Sequence, residues 1–292
     1  MSFRGKVMQI ALSAETTVDV QQDLLDFYSI STVPYTLMFG DKAQFDGVVV
    51  GEDLFKFTEA TGKLAKTSCV NLTQFQEHFK KLLAKADYVI HFSLSSEMSA
   101  SYSNAVQASK DYPGKVFVID SRTLSTGIAL QCIYAKKLID AGKDVNEVVR
   151  LVKERIPATQ ASFGLEAVNY LYKGGRCSAM AALGANILHI RPQIIVKEGK
   201  MISGKKFRGP MEKWVMDYVE TTLQEFNNPD YEEVFITYSS APKEVVDLVR
   251  ERLKKAGFKH IMNTYASGTV SCHCGPHTLG ILYFNDGPHP IA

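Results

Sequence analysis

Hydroxyl side chains dominate the segments of this chain that could do chemistry. The densest run is Leu94-Ser95-Ser96-Glu97-Met98-Ser99-Ala100-Ser101-Tyr102-Ser103-Asn104, which follows the apolar stretch 88–93 and opens a helical pattern. A strand that ends where a helix begins places such residues at the carboxyl edge of an α/β sheet, where ligands collect. Exposed backbone N–H groups at a helix start suit an anion, and clustered hydroxyls add donors without charge. Ser95 or Ser96 would serve equally as a plain helix cap. Thr67-Ser68 is a second pair, set between two helical patterns shortly before Asn71, where ordinary turn chemistry also explains it. Lys173-Gly174-Gly175-Arg176 combines a tight turn with a guanidinium just ahead of a helix expected over 178–188. That arrangement fits an anion contact, or a connecting turn with a solvated arginine.

Cys272-His273-Cys274-Gly275-Pro276-His277 invites a zinc reading. A closed zinc site needs about four ligands in spaced pairs, and a Cys-x-Cys strand turns its middle residue to the opposite face. No second ligand pair is evident, so no metal is expected. The chain carries no Gly-x-Ser-x-Gly elbow, P-loop or Gly-x-Gly-x-x-Gly fingerprint. No catalytic residue is therefore assigned. The competing reading is a Ser- or Cys-dependent hydrolase or transferase for a small anionic or lipid substrate, using Ser96, Cys272 or His273 with a base in reach.

These segments need a scaffold, and the composition permits one. The 292 residues are 46% hydrophobic and 22% charged with a net charge of +2, enough apolar material for a core and no bias toward nucleic acid. Five scattered cysteines read as reduced thiols, and neither a signal peptide nor an apolar membrane span is evident, so a cytoplasmic protein is expected. Short apolar runs alternate with amphipathic segments throughout. Strands are expected near 7–12, 33–38, 88–93, 116–119, 160–163, 233–238, 261–266 and 280–284. A hairpin is expected around Lys197-Glu198-Gly199-Lys200, with helices between these runs. Asn71 and Asp144 are the clearest helix caps. Such alternation predicts an α/β protein of two domains, 1–159 and 160–292, with mainly parallel sheets flanked by helices and the ligand between or inside them.

Taken in order, the landmarks resemble the DegV family of bacterial fatty-acid-binding proteins over nearly the whole chain. They are Ile10 through Asp19 with its Glu15-Thr16-Thr17-Val18-Asp19 turn, Phe45-Asp46-Gly47, Thr67-Ser68, Leu94-Ser95-Ser96-x-Met98-Ser99 with Tyr102, Val118-Ile119-Asp120-Ser121 with Gly127, Lys173-Gly174-Gly175-Arg176, and His273-x-Gly275-Pro276. The resemblance implies a buried long-chain fatty acid as ligand and no cofactor. Its carboxylate would be met by Thr67, Ser68 and one or more of Ser95, Ser96 and Ser99. It further implies a separate fatty-acid kinase as partner, with Arg176 and His273 in the phosphate neighbourhood, and at most transient membrane contact. Burying about 14 methylenes at ~0.8 kcal/mol each gives on the order of 10 kcal/mol of gross driving force, much of it offset by ordering the ligand. The chain departs from the family pattern at Glu15-Thr16 for Asp-Ser, at Cys69-Val70-Asn71 for Gln-Pro-Ser, at Ala100-Ser101-Tyr102-Ser103 for Gly-Thr-Tyr-Gln and at His277 for Gly.

Overall fold

The computed structural model describes residues 8–47, 51–177 and 190–291. The helix expected over 178–188 lies outside these. In chain order the first part comprises β1 (Ile10–Glu15), a 3-10 turn (Thr16–Val18), α1 (Gln22–Phe27), β2 (Ile30–Val33), β3 (Thr36–Phe39), β4 (Lys42–Phe45), α2 (Gly51–Thr61), β5 (Lys66–Ser68), α3 (Leu72–Leu83), β6 (Tyr88–Ser93), α4 (Ser101–Ser109), β7 (Val116–Asp120), α5 (Thr126–Asp140) and α6 (Val145–Arg155). The second comprises β8 (Thr159–Gly164), α7 (Val168–Gly174), β9 (Arg191–Lys197), β10 (Lys200–Phe207), α8 (Met211–Glu225), β11 (Glu233–Ser239), α9 (Lys243–Ala256), β12 (His260–Tyr265), α10 (Gly268–Cys274) and β13 (Thr278–Phe284).

Local chemistry explains the element ends. Asn71 caps α3 through a reciprocal box, its side chain accepting from the Gln74 N–H while the Gln74 side chain accepts from the Asn71 N–H. Asp144 accepts from the N–H groups of Asn146 and Glu147 at the start of α6. The β9–β10 hairpin turns through Glu198 and Gly199, both at positive φ.

The first sheet, β2-β1-β6-β7, is parallel throughout, as the alternation predicts. The second, β10-β9-β8-β13-β11-β12, corrects the expectation of mainly parallel pairing, because only β11 and β12 pair parallel. After α10 the chain reverses through Gly275-Pro276-His277 and β13 runs back between β11 and β8, antiparallel to both. Apolar periodicity marks a buried strand but not its direction. A small antiparallel sheet, β4-β3-β5, is a further addition.

One helix joins the layers. Eleven of the fifteen residues of α5 are buried, and it packs on β1 and β6 of the first sheet and on β8, β11 and β13 of the second. A helix apolar on all sides belongs in an interior. Gly127 permits its close approach, since a Cβ there would sit 2.6 Å from Thr123 Oγ1. Leu12, Phe92, Ile128 and Leu282 consequently belong to one continuous core.

At the far end of this core, buried Arg155 donates to Asp230 at 2.5 Å and to Asp286 at 2.9 and 3.0 Å, with its guanidinium 3.9 Å from the Phe284 ring centroid. Arg155→Ala strands Asp230 without its cation, and removing one partner of a buried pair costs roughly 3–5 kcal/mol. A loss of that size in the denaturant midpoint of unfolding is the expected outcome, and a loss below 1 kcal/mol would show that the cluster is solvated.

Candidate functional site

The parallel neighbours β1 and β6 deliver their carboxyl ends to one edge. Between β6 and α4 runs the hydroxyl-rich segment, as a loop rather than as the first turn of the helix, which begins only at Ser101. Beneath it lies Glu15, fully buried, accepting from Ser93 Oγ at 2.7 Å, Ser101 Oγ at 2.8 Å and the Leu94 N–H at 2.8 Å. Burial alone would raise its pKa, but His91, Ser93 and the Leu94 N–H together outweigh that and hold it below the usual carboxylate range. The loop is thereby pinned at both ends. Ser99 Oγ accepts from the Ser101 N–H at 3.1 Å and pairs with the Tyr35 hydroxyl at 2.8 Å.

The hydroxyls of this loop divide. Ser95 is fully buried and donates to the Gly199 carbonyl at 2.8 Å, fastening the β9–β10 turn to the first half of the chain. Arg122 reinforces that fastening by donating to the Glu198 carbonyl. Ser96 is exposed and donates to Asp120 at 2.6 Å, while its N–H meets the same carboxylate at 3.1 Å. Ser99 alone of the three lines the cavity beside Thr67 and His273.

Thr67 and Ser68 lie on β5, not in a loop, opposite Leu37 and Thr36 of β3. Thr67 Oγ1 is 3.0 Å from His273 Nε2. The histidine is carried by the last turn of α10, so the Cys272-His273-Cys274 segment is helical rather than a strand. Two carboxylates from the first half of the chain meet the start of that helix. Asp46 accepts from the N–H groups of Gly268 and Thr269 at 2.9 and 3.1 Å, and Asp19 accepts from the Ser267 N–H at 2.9 Å and Ser125 Oγ at 2.6 Å. On its other side the His273 ring lies against Gly174, where a Cβ would come within 2.4 Å of Nδ1. Burial, with a smaller contribution from Arg176, pushes the His273 pKa down to about 4, so the ring is neutral near pH 7. Arg176 is exposed and donates to the Gly174 carbonyl at 2.6 Å.

These groups border a cavity of about 400 Å³. Thr67, Ser68, Ser99, Tyr35, His273 and Arg176 form one polar part of its wall. Leu94, Met98, Leu124, Phe163, Leu171, Met201, Val270 and Leu282 supply its apolar one. The structure thus brings together Thr67, Ser68, Ser99, Arg176 and His273, and leaves Ser95 and Ser96 outside. Tyr35 and Glu15 were missed as site residues. Tyr35 sits in a run that reads simply as strand, and nothing local marks Glu15 as lying under a loop some eighty residues away.

The competing chemistry finds little support. Burial raises both the Cys272 and the Cys274 thiols to about 12, leaving them protonated, and Ser96 is bound to a carboxylate rather than to His273. Among the described residues no group of three or more His, Cys, Asp and Glu is placed to hold a metal ion.

Comparison with known proteins agrees with this architecture. The family model described as "Uncharacterised protein, DegV family" matches residues 9–286. The chain belongs to the DegV family. A DegV domain-containing protein of Caldanaerobacter subterraneus is 28% identical over 279 residues, covering 94% of this chain and 98% of the relative. The structure of a DegV family protein from Thermus thermophilus, described for its fatty acid binding, superposes with a TM-score of 0.88 at 21% identity, covering 95% of this chain and all of that one. The Streptococcus pneumoniae fatty acid kinase (Fak) B3 protein, loaded with linoleic acid, superposes with a TM-score of 0.83 at 20% identity, covering 96% and 100%. The two structures share the two-domain α/β fold with this DegV chain.

Asp19 gives the site a pH signature. Desolvation, only partly offset by Ser125 and Ser267, raises its pKa to about 7 from 3.8. The folded state then binds the proton more tightly than the unfolded one, so this group's contribution is complete below pH 4 and is lost as pH rises toward 7. His273 and His78, depressed to about 4 and about 3, slope the opposite way, losing their contribution as pH falls below 6.5. Subtracting an Asp19→Asn variant isolates the aspartate. Relative to that variant, the wild type should lose stability progressively between pH 4 and 7 and change no further above. Parallel melting curves at pH 4, 5.5, 7 and 8 check this, and a constant difference across the series would refute it.

Proposed function

We infer that this DegV chain is a fatty-acid carrier. It takes a long-chain fatty acid into the cavity, holds the carboxylate with Thr67, Ser68 and Ser99, and presents it past Arg176 and His273 to a fatty-acid kinase. The observation that carries this reading is an apolar cavity of about 400 Å³ whose polar wall offers chiefly neutral donors. Hydroxyls meet a carboxylate's hydrogen-bonding demand, and a carboxylate left without donors in such a place would cost several kcal/mol. A neutral His273 adds a donor or acceptor without fixing the anion by charge. Neutral donors also let the anion leave more readily than a buried arginine pair would. Arg176, exposed at the rim, is placed to meet a more highly charged group such as an acyl phosphate. Ser95 and Ser96 are left out of this assignment, because both hydroxyls are engaged away from the cavity.

Two relatives support the ligand and partner classes: the Thermus protein described for fatty acid binding, and the pneumococcal kinase B3 protein loaded with linoleic acid. The chain's own part is binding and presentation, and the phosphoryl transfer belongs to the partner. Among the described residues no helix is long and apolar enough to cross a membrane.

Native mass spectrometry of the purified protein should show one long-chain acid per chain, either retained or taken up on addition. Hydrogen bonds to a charged group are worth about 1.5–3 kcal/mol each, so Thr67→Val with Ser99→Ala should weaken binding by well over tenfold. Ser96→Ala should leave it within about twofold, in line with a surface substitution. Failure to bind any acid of 14 to 18 carbons would sink the carrier reading. Unchanged affinity in the double variant would remove these two hydroxyls as ligands.

A further inference from the structure

Two hydroxyl residues of the cavity wall are used neither by the carboxylate site nor by the rest of the fold. Thr17, on the 3-10 turn after β1, and Thr269, in the first turn of α10, both line it. They are 0% and 4% exposed, and neither Oγ1 has a hydrogen-bond partner among the described residues. Neighbouring hydroxyls of the same wall are satisfied. Ser125 donates to Asp19, Thr278 donates to the Cys274 carbonyl, and Thr237 pairs with Thr126 and Thr264. Buried polar groups normally find partners, and one left unmatched destabilises the fold. Both residues line one cavity on elements packed against each other, each Oγ1 is itself covered, and a χ1 rotation that exchanges methyl and hydroxyl would turn it into that cavity, where a ligand oxygen could complete it.

Their position limits what completes them. Thr269 and His273 lie four residues apart on one helix, a separation of about 6 Å along its axis. A ligand whose carboxylate lies beside His273 and whose chain follows α10 toward its first turn passes Thr269 within its first several carbons, with Thr17 on the element packed against it. A plain methylene chain leaves both hydroxyls unmatched, whereas an oxygen substituent there can donate to one and accept from the other.

We propose that Thr17 and Thr269 form a second polar subsite in the acyl cavity, and that the preferred ligand is a long-chain fatty acid carrying a hydroxyl near its carboxyl end. This rests on the carrier reading and narrows its substrate class. A site that hydrogen-bonds a hydroxyl discriminates against the analogue lacking it, because its own polar groups are then unpaired.

The test is equilibrium binding, by displacement of a fluorescent acyl probe, of octadecanoic acid and its 3-, 5- and 12-hydroxy derivatives. The wild type should bind the 3- or 5-hydroxy acid about tenfold more tightly than octadecanoic acid, the worth of roughly one net hydrogen bond, and should show no such gain at carbon 12. Thr17→Val with Thr269→Val should abolish the preference while leaving octadecanoic acid within about twofold, and Thr17→Ser should retain it. The double variant should also melt no lower than wild type, since it removes only unpartnered hydroxyls. Octadecanoic acid binding as tightly as every hydroxy acid, or a preference that survives the double variant, would overturn the subsite and leave hydroxyls that hold water alone. Binding of none of the four acids would overturn the carrier reading itself, and the subsite with it.

Discussion

The start of α10 rests on two buried carboxylates that come from the opposite end of the chain. Asp46 takes the N–H groups of Gly268 and Thr269, and Asp19 takes that of Ser267. Carboxyl oxygens in this position satisfy backbone donors that the helix itself cannot. Here the larger consequence is geometric. The carboxylates fix the first turn of a two-turn helix, Gly174 receives the histidine ring at its end, and His273 is left in contact with Thr67. The proposed site, drawn from residues 67, 99, 176 and 273, depends on that anchorage for the position of His273.

A third buried carboxylate performs the same service for the opposite wall. Glu15 binds Ser93, the Leu94 N–H and Ser101, on both sides of the loop that carries Ser99. Behind it, His91 Nε2 lies 3.5 Å from the carboxylate, and His91 Nδ1 pairs with Ser13, which in turn meets His78. One carboxylate thus takes three donors, and the loop is held by side chains that line no part of the cavity.

His277 occupies the left-handed region at φ 55, a conformation that favours glycine. Histidine tolerates that conformation better than most residues but not freely. The turn keeps its shape because β13 is locked between β8 and β11 directly after it. Much of this was legible in the sequence at the level of segments. The caps at Asn71 and Asp144, the turn at Gly199 and the parallel first sheet all follow from local residue types. The antiparallel course of β13 did not, since burial patterns carry no direction. Nor did the division among Ser95, Ser96 and Ser99. Three serines in five residues look alike until Gly199 and Asp120, remote in sequence, take up two of them.

That division explains why the proposed carboxylate site can be small. Serine hydroxyls compete for any acceptor within reach, and one already donating to a carbonyl or a carboxylate has only its lone pairs to offer an anion. Ser95 and Ser96 are in that state. Thr67 can yield its contact to a neutral imidazole, and Ser99 shares a contact with Tyr35 in which either oxygen can be the donor. A hydroxyl whose partner can rotate or exchange roles is free to turn its proton toward an arriving carboxylate and to return when the anion departs. The fold thus separates structural hydroxyls, fixed by strong acceptors, from exchangeable ones at the cavity wall. A carrier needs the second kind, and it needs the first to keep them in place.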